Sequence, residues 1–257
     1  MPHEAFGPLL RRWRHQRCLT QEALADQAAL STRHLSFLET ERARPSQPTV
    51  LQLADALDIP LRERNVLLEA AGFARLYPEA SLSDSELEFH RQLVQSVLDR
   101  HDPFFAVAID RLWTIQLRND AADRFLAPFA SSIPGPPNLA RLLVHPSGLG
   151  PMLVNRDEVA IHFLARLERE SAARPNDAEL AALMDEMASY GPFRAPLVAA
   201  PSDDLALPLK LAINGHSLRL IGGVLAFDGA RSPALDELRI ETFFPADQAT
   251  ADVLHAL

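Results

Sequence analysis

The apolar residues of this chain change their period once. Through residue 72 they recur three and four positions apart, the spacing of one helix face. Around Phe104 they begin to alternate, the spacing of a half-buried strand. A length of 257 residues suggests two modest domains at ~100–150 residues each. The change of period makes the first helical and the second mixed. Phe6, Leu9, Leu10 and Trp13 mark the inner face of a first helix. Thr20 is a fitting N-cap for a second, Gln21–Ala28, with Leu24, Ala25 and Ala28 inward. After Ala29-Leu30-Ser31, Ser31 caps a third helix with a narrow stripe of Leu35 and Leu38. Ser46 or Thr49 opens a fourth, with Val50, Leu53, Ala54 and Leu57 on one face, and Asp58-Ile59-Pro60 breaks it. A fifth, Leu61–Ala71, ends at Gly72, a residue suited to the left-handed C′ position.

Two short helices joined by a tight turn and flanked by packing helices form the helix-turn-helix pattern. The residues Thr20-Gln21-Glu22-x-Leu24-Ala25, Leu30-Ser31-x-Arg33-x-Leu35-Ser36-x-Leu38-Glu39 and Arg42-x-Arg44-Pro45-Ser46 resemble the XRE family of phage-repressor-like regulators, over about residues 5–72. The resemblance implies a double-stranded DNA operator as partner. Gln21, at a helix N-terminus, is placed to hydrogen-bond a phosphate together with backbone N–H groups. Thr32, Arg33, Ser36 and Phe37 face away from the leucine stripe, toward a major groove. Arg33 suits guanine O6 and N7, worth ~1–3 kcal/mol of discrimination. Phe37 either touches a thymine methyl or packs in the core. Arg42 and Arg44, in the following loop, would hold phosphates. Two residues depart from the family pattern. Ala29 fills the turn position usually taken by Gly, where φ > 0 is mildly costly. Glu41 stands where many members have Gly.

The formal net charge of −9 argues against nucleic acid until it is divided along the chain. Residues 1–48 hold seven Arg and five acids, net +2; residues 78–257 hold fifteen basic and twenty-five acidic residues, net −10. A phosphate backbone feels the local charge, within ~8–10 Å. Lys210 is the only lysine, so nearly every cation is Arg, which suits phosphate and guanine; a GC-rich genome gives the same bias. The single cysteine, Cys18, allows neither an internal disulfide nor a cysteine-rich zinc site, and is expected to be at least half-buried at the end of the first helix.

Residues 73–86 read as a linker ending in a helix cap at Ser83-Asp84-Ser85-Glu86. A helix follows to Leu98. Phe104–Asp110 and Trp113–Leu117 read as strands, and Asn119 caps a short helix, Asp120–Leu126. After a proline-rich loop come helices near Val154–Ser171 and Asp177–Tyr190. Late strands cover Leu207–Ile213, Ser217–Phe227 and Leu238–Phe244, with a hairpin turn at Asn214-Gly215. Gly222-Gly223 inside a strand pattern reads as a bulge or a close packing point. The order is that of an α+β domain with an antiparallel sheet, similar to a PAS-type sensor.

His145-Pro146-x-Gly148-Leu149, Asn155 before a helix, and Leu238-Arg239-Ile240-Glu241-Thr242-Phe243-Phe244-Pro245-Ala246-Asp247-x-Ala249-Thr250 resemble the ligand-binding domain of MmyB-like regulators, over about residues 85–257. That resemblance implies a PAS-like domain able to hold a fatty acid. Arg156 stands where the family commonly has Trp, which reshapes the pocket mouth or offers a cation. Phe105, Phe125, Phe163 and Phe227 are candidates to line an apolar pocket, or they fill an ordinary core. His145, Arg156 and Arg194 are candidates for a carboxylate headgroup; His145 alternatively only caps the turn before Pro146.

No G-x-S-x-G, H-E-x-x-H, P-loop or G-x-G-x-x-G motif occurs. Neighbouring acids such as Asp157-Glu158, Asp185-Glu186 and Asp203-Asp204 read as solvated surface. No catalytic residue, metal site or resident cofactor is expected beyond a possible bound fatty acid. Met1-Pro2-His3-Glu4 has no basic stretch leading into an apolar run, and no apolar run nears the ~18–20 residues of a bilayer span, so neither a secretory signal nor a membrane contact is expected. The sequence thus reads as a cytoplasmic, homodimeric transcription regulator. It has an all-α five-helix helix-turn-helix domain over residues 1–75. Residues 76–257 form an α+β PAS-like domain that senses a small apolar ligand. A lipid- or small-molecule-modifying enzyme domain targeted by the helix-turn-helix, or an interaction module with a dry core, are the competing readings.

Overall fold

The computed structural model describes residues 4–78, 87–129, 132–174, 177–194, 206–213 and 215–256. The chain divides into two compact units, Met1–Ala80 with Gly229–Asp236, and Ser81–Asp228 with Glu237–Leu257. The first unit holds α1 (Phe6–Gln16), α2 (Gln21–Gln27), α3 (Thr32–Glu39), α4 (Gln47–Ala56) and α5 (Leu61–Ala70). Local chemistry sets their starts. Thr20 accepts from the Ala23 N–H at 3.1 Å, Ser31 from His34 at 3.2 Å and Ser46 from Thr49 at 3.3 Å. The fourth cap is therefore Ser46, not Thr49.

The stops follow one device repeated five times. Cys18, Ala29, Glu41, Asp58 and Gly72 all take positive φ, between 47° and 86°. The next residue reaches back to the preceding turn in each case: Leu19 to Arg14 O, Leu30 to Ala25 O, Arg42 to Phe37 O, Ile59 to Ala54 O and Phe73 to Leu68 O, at 2.8–3.1 Å. These are Schellman ends, and only the last is a glycine. Leu19, Leu30 and Phe73 then pack on the core, and Ile59 lies within it. Cys18, expected to be half-buried, is exposed because it occupies such a C′ corner. Leu10, Trp13, Leu24, Leu35 and Leu53 form the fully buried centre.

The second unit begins with α6 (Glu88–Asp99), β1 (Ala106–Ile109), β2 (Ile115–Arg118), α7 (Asp120–Leu126), α8 (Leu139–Val144), α9 (Arg156–Ala172) and α10 (Ala178–Ser189). It continues with β3 (Pro208–Ile213), β4 (His216–Ala226) and β5 (Arg239–Pro245), and ends with α12 (Gln248–Ala256). Between β4 and β5 lies α11 (Pro233–Asp236), whose segment counts with the first unit. There Asp236 accepts the Leu61 N–H at 3.3 Å and so caps α5, whose own N-cap residue, Pro60, offers no side-chain acceptor. A single cut near residue 75 does not capture that excursion.

The sheet is wholly antiparallel, in the order β2-β1-β5-β4-β3. Ile213 pairs with His216 across the tight β3–β4 turn, where Gly215 has φ 81°. Asn214 of that turn, the Ser83–Glu86 cap and the Asp203-Asp204 pair lie outside the described residues. Gly222 and Gly223 sit in unbroken register against Phe243 and Thr242, so they mark close packing rather than a bulge. A Cβ on Gly223 would lie 3.0 Å from Thr242 Oγ1 and 3.3 Å from the Phe244 ring. Core residues from α7 to α10 and α12 join Val107, Leu209, Leu211, Leu220 and Phe243 of the sheet in one apolar cluster.

Candidate functional site

The α3 helix presents two faces. Leu35, Leu38 and Glu39 are buried; Thr32 and Arg33 are exposed, and Ser36 and Phe37 are half-buried. Arg33, Ser36 and Phe37 fall at i, i+3 and i+4, one stripe directed away from the core. Phe37 lies outside the core cluster and carries the Arg33 guanidinium over its ring at 5.3 Å. Eight residues make a helix about 12 Å long, matched to a major groove of similar width.

A buried ionic network holds α3 to its neighbours. Arg14 of α1 grips Glu39 with Nε at 2.6 Å and a second nitrogen at 2.9 Å, and donates to Leu19 O at 2.9 Å. Gln21 of α2 donates its side-chain amide to the same carboxylate at 2.8 Å. Burial, the largest single influence, pushes the Glu39 carboxyl up. The hydrogen bonds from Arg14 and Gln21 and the charges of Arg14 and Arg11 together outweigh it, and the carboxyl sits below its ordinary range. Gln21 is thus held in place from behind, with the amide oxygen not used by Glu39. Arg42 and Arg44 are exposed in the loop after α3, and among the described residues Arg33, Arg42 and Arg44 form no ion pair.

The second unit contains a cleft of about 640 Å³. Phe105 of the strand entry and Ala121, Arg124 and Phe125 of α7 form one side, continued by Pro128, Phe129 and Ser132. Ile213, His216 and Leu218 at the β3–β4 turn, with Val253 and Leu254 of α12, form the other. The Pro146-Ser147-Gly148 turn with Pro151 and Met152 closes it. Phe105 and Phe125 stack at 4.2 Å and also border a small void of about 30 Å³ lined by apolar residues, among them Val107, Leu143 and Phe243. This size and lining suit a small organic molecule.

The quoted motifs build that cleft from behind. His145 Nδ1 accepts the Ser147 N–H at 2.9 Å, and Gly148 packs so closely that a Cβ would lie 2.5 Å from Leu142 O. Asn155 donates to Pro208 O at 2.9 Å and accepts from Lys210 N at 3.0 Å, tying the start of α9 to β3. Asp247 accepts from Thr250 N at 2.8 Å and opens α12.

The structure brings Phe105 and Phe125 into the cleft and places the other five expected ligand residues elsewhere. His145 caps its turn and meets Tyr190 edge-on at 4.7 Å, and is not among the cleft-lining residues. Burial pushes the Tyr190 phenol up to about 12, aided by the hydrogen bond it donates to Glu186. Arg156 donates to Val144 O and Tyr190 O at 3.1 Å, lies over Phe193, and borders a surface depression with Arg194, outside the lining of the cleft. Arg194 is exposed beside Asp157 on a shallow surface depression. Phe163 is core, edge-on to Trp113 at 5.2 Å. Phe227, half-buried just past β4, lines none of the described cavities. Arg124, His216 and the α12 residues line the cleft without having been expected there. Among the described residues no group of three His, Cys, Asp or Glu could hold a metal, and no helix is long and apolar enough to cross a membrane.

A helix-turn-helix unit joined to an α+β unit with an apolar cleft defines a DNA-binding transcription regulator with a ligand-binding domain. Residues 5–67 match a helix-turn-helix domain model, and residues 90–257 match the MmyB-like transcription regulator ligand binding domain. The chain belongs to this MmyB-like family. Among curated proteins no match was found.

Proposed function

We propose that this regulator is a cytoplasmic homodimer that binds a two-fold operator and senses a fatty-acyl ligand in the cleft of its α+β unit. Gln21, Thr32, Arg33, Ser36, Phe37, Arg42 and Arg44 form the DNA-binding surface in this reading. Arg33 and Phe37 meet base edges, while Gln21, Arg42 and Arg44 hold phosphates. One helix-turn-helix contacts too little DNA for high affinity, which favours two copies on a palindrome. The antiparallel sheet, with four helices inserted between β2 and β3, supports the PAS-like description.

The 640 Å³ apolar cleft is the observation that carries the ligand assignment. Each CH₂ buried there contributes ~0.8 kcal/mol, so a long acyl chain binds from burial alone. Occupancy changes DNA binding only if the ligand prefers one of two arrangements of the protein. The test is solvent extraction of the purified full chain followed by mass spectrometry. A stoichiometric, unmodified acyl compound is the expected result. Turnover of added acyl substrate would assign an enzyme, and a ligand-free protein that takes up no acyl compound would overturn the sensor reading.

A further inference from the structure

We propose that Arg124 is the headgroup anchor of the cleft, and that it makes the α+β unit selective for single-chain amphiphiles with an anionic head. The inference rests on the apolar-ligand reading above and adds the charge, orientation and contact residue of the ligand.

Three observations converge on it. Residues 78–257 carry twenty-five acids against fifteen bases, yet among the described residues no Asp or Glu lines the cleft, whose ionisable lining residues are Arg124 and His216. Some arginines of this unit are matched to carboxylates, Arg91 to Glu88 at 2.9 Å, Arg141 to Glu186 at 2.7 Å and Arg166 to Glu241 at 2.7 Å, and of those that are not, Arg124 is the one on the cleft lining among the described residues. Arg124 has no such partner. Among the described residues no carboxylate lies within 4.0 Å of its guanidinium, and the adjacent Asp123 pairs with Arg118. Finally, Arg124 stands in the last turn of α7, exposed, next to Phe125, which faces Phe105. Head and tail sites thus lie side by side on one helix.

The chemistry follows from that placement. An exposed guanidinium stays hydrated while the cleft is empty, so the unpaired cation costs little. A carboxylate or phosphate at the lip meets a planar fork of donors, and charge-assisted hydrogen bonds of this kind are about twice as strong as neutral ones. The chain then runs inward against Phe125, Phe129 and Leu254. A cationic head would meet a like charge with no acid to offset it.

The experiment titrates the delipidated full chain with four amphiphiles of one chain length: a saturated long-chain carboxylate, its methyl ester, the alkyl phosphate and the alkyltrimethylammonium. The two anions are expected to bind ~10–100-fold tighter than the ester, and the cation more weakly than the ester. The tighter anion identifies the head. Arg124→Gln brings the ratio of anion to ester affinity close to one; Arg124→Lys restores part of the preference. Arg194→Gln, an exposed arginine outside the cleft, keeps the preference. Equal affinity for carboxylate and ester in the parent protein, or a preference that survives Arg124→Gln, overturns the anchor while leaving the apolar site intact. Failure of all four to bind overturns the apolar-ligand reading itself.

Discussion

Glu39→Ala is the most informative perturbation of the DNA-binding unit, because one carboxylate ties α1, α2 and α3 together. It accepts two bonds from Arg14, at 2.6 and 2.9 Å, and one from Gln21 at 2.8 Å. Arg14 and Glu39 are each only 7% exposed. Truncation leaves a buried guanidinium with the single carbonyl of Leu19. Removing one partner of a buried pair costs ~3–5 kcal/mol, whereas an exposed pair is worth ~0–1 kcal/mol. The larger figure applies here and is a sizeable share of the ~5–15 kcal/mol that holds a domain together. Urea unfolding of the full chain, with hydrogen exchange read on peptides from α1 to α3, reports that unit separately from the other. Replacing both residues, Arg14→Met with Glu39→Met, should cost less than Glu39→Ala alone, since no unpaired charge remains. The sign of the pH effect follows from the depressed carboxyl. Its stabilisation is complete above the unfolded-state value of ~4.3. It disappears as pH falls through the lower folded-state value. Glu39→Gln removes this dependence. A Glu39→Ala loss below ~1 kcal/mol would show that the pair is solvated and refute the reasoning.

Arg33→Ala should weaken binding to a selected operator by ~1–3 kcal/mol with the fold intact, since Arg33 is exposed and lies over the Phe37 ring. An unchanged isotherm removes Arg33 from the base contacts. Ala29→Gly relieves a φ of 48° and should stabilise the first unit by up to ~1 kcal/mol in urea unfolding; a destabilised variant contradicts the strain. Phe163→Ala should lower the stability of the second unit by ~3–5 kcal/mol, as expected of a core ring against Trp113. A change within 1 kcal/mol would mean the site is not packed.

The N-terminal unit was almost fully legible because its information is local. Caps, turn residues and apolar stripes lie within a few positions of what they control. Ala29, in the turn position that the resembled family usually fills with Gly, could be assigned to a left-handed corner and has positive φ; Glu41, where many members have Gly, has it as well. The cleft was harder for the opposite reason. Its walls come from α7, the turn after α8, the β3–β4 turn and α12, segments spread over more than a hundred residues. No periodicity reports which phenylalanines meet there, so Phe105 and Phe125 could not be told from Phe163. The polar residues of the family-like motifs do not mark the cleft either, since His145 and Asn155 serve turns and tethers. The Asp247-x-x-Thr250 cap was present in the sequence and signals α12, the helix that brings Val253 and Leu254 to the cleft. The α5 cap by Asp236 could not have been read locally, since 175 residues separate the partners.

In the proposed regulator, occupancy of the cleft changes how α3 engages DNA. The direct measurement selects an operator with the full chain, then compares its binding isotherms for delipidated and acyl-loaded protein at one salt concentration, with occupancy checked by mass spectrometry. Coupled sites typically differ by ~1–3 kcal/mol, so a shift of ~5–150-fold in operator affinity is the expected result. Superimposable isotherms from protein shown to be empty and protein shown to be loaded would contradict the account.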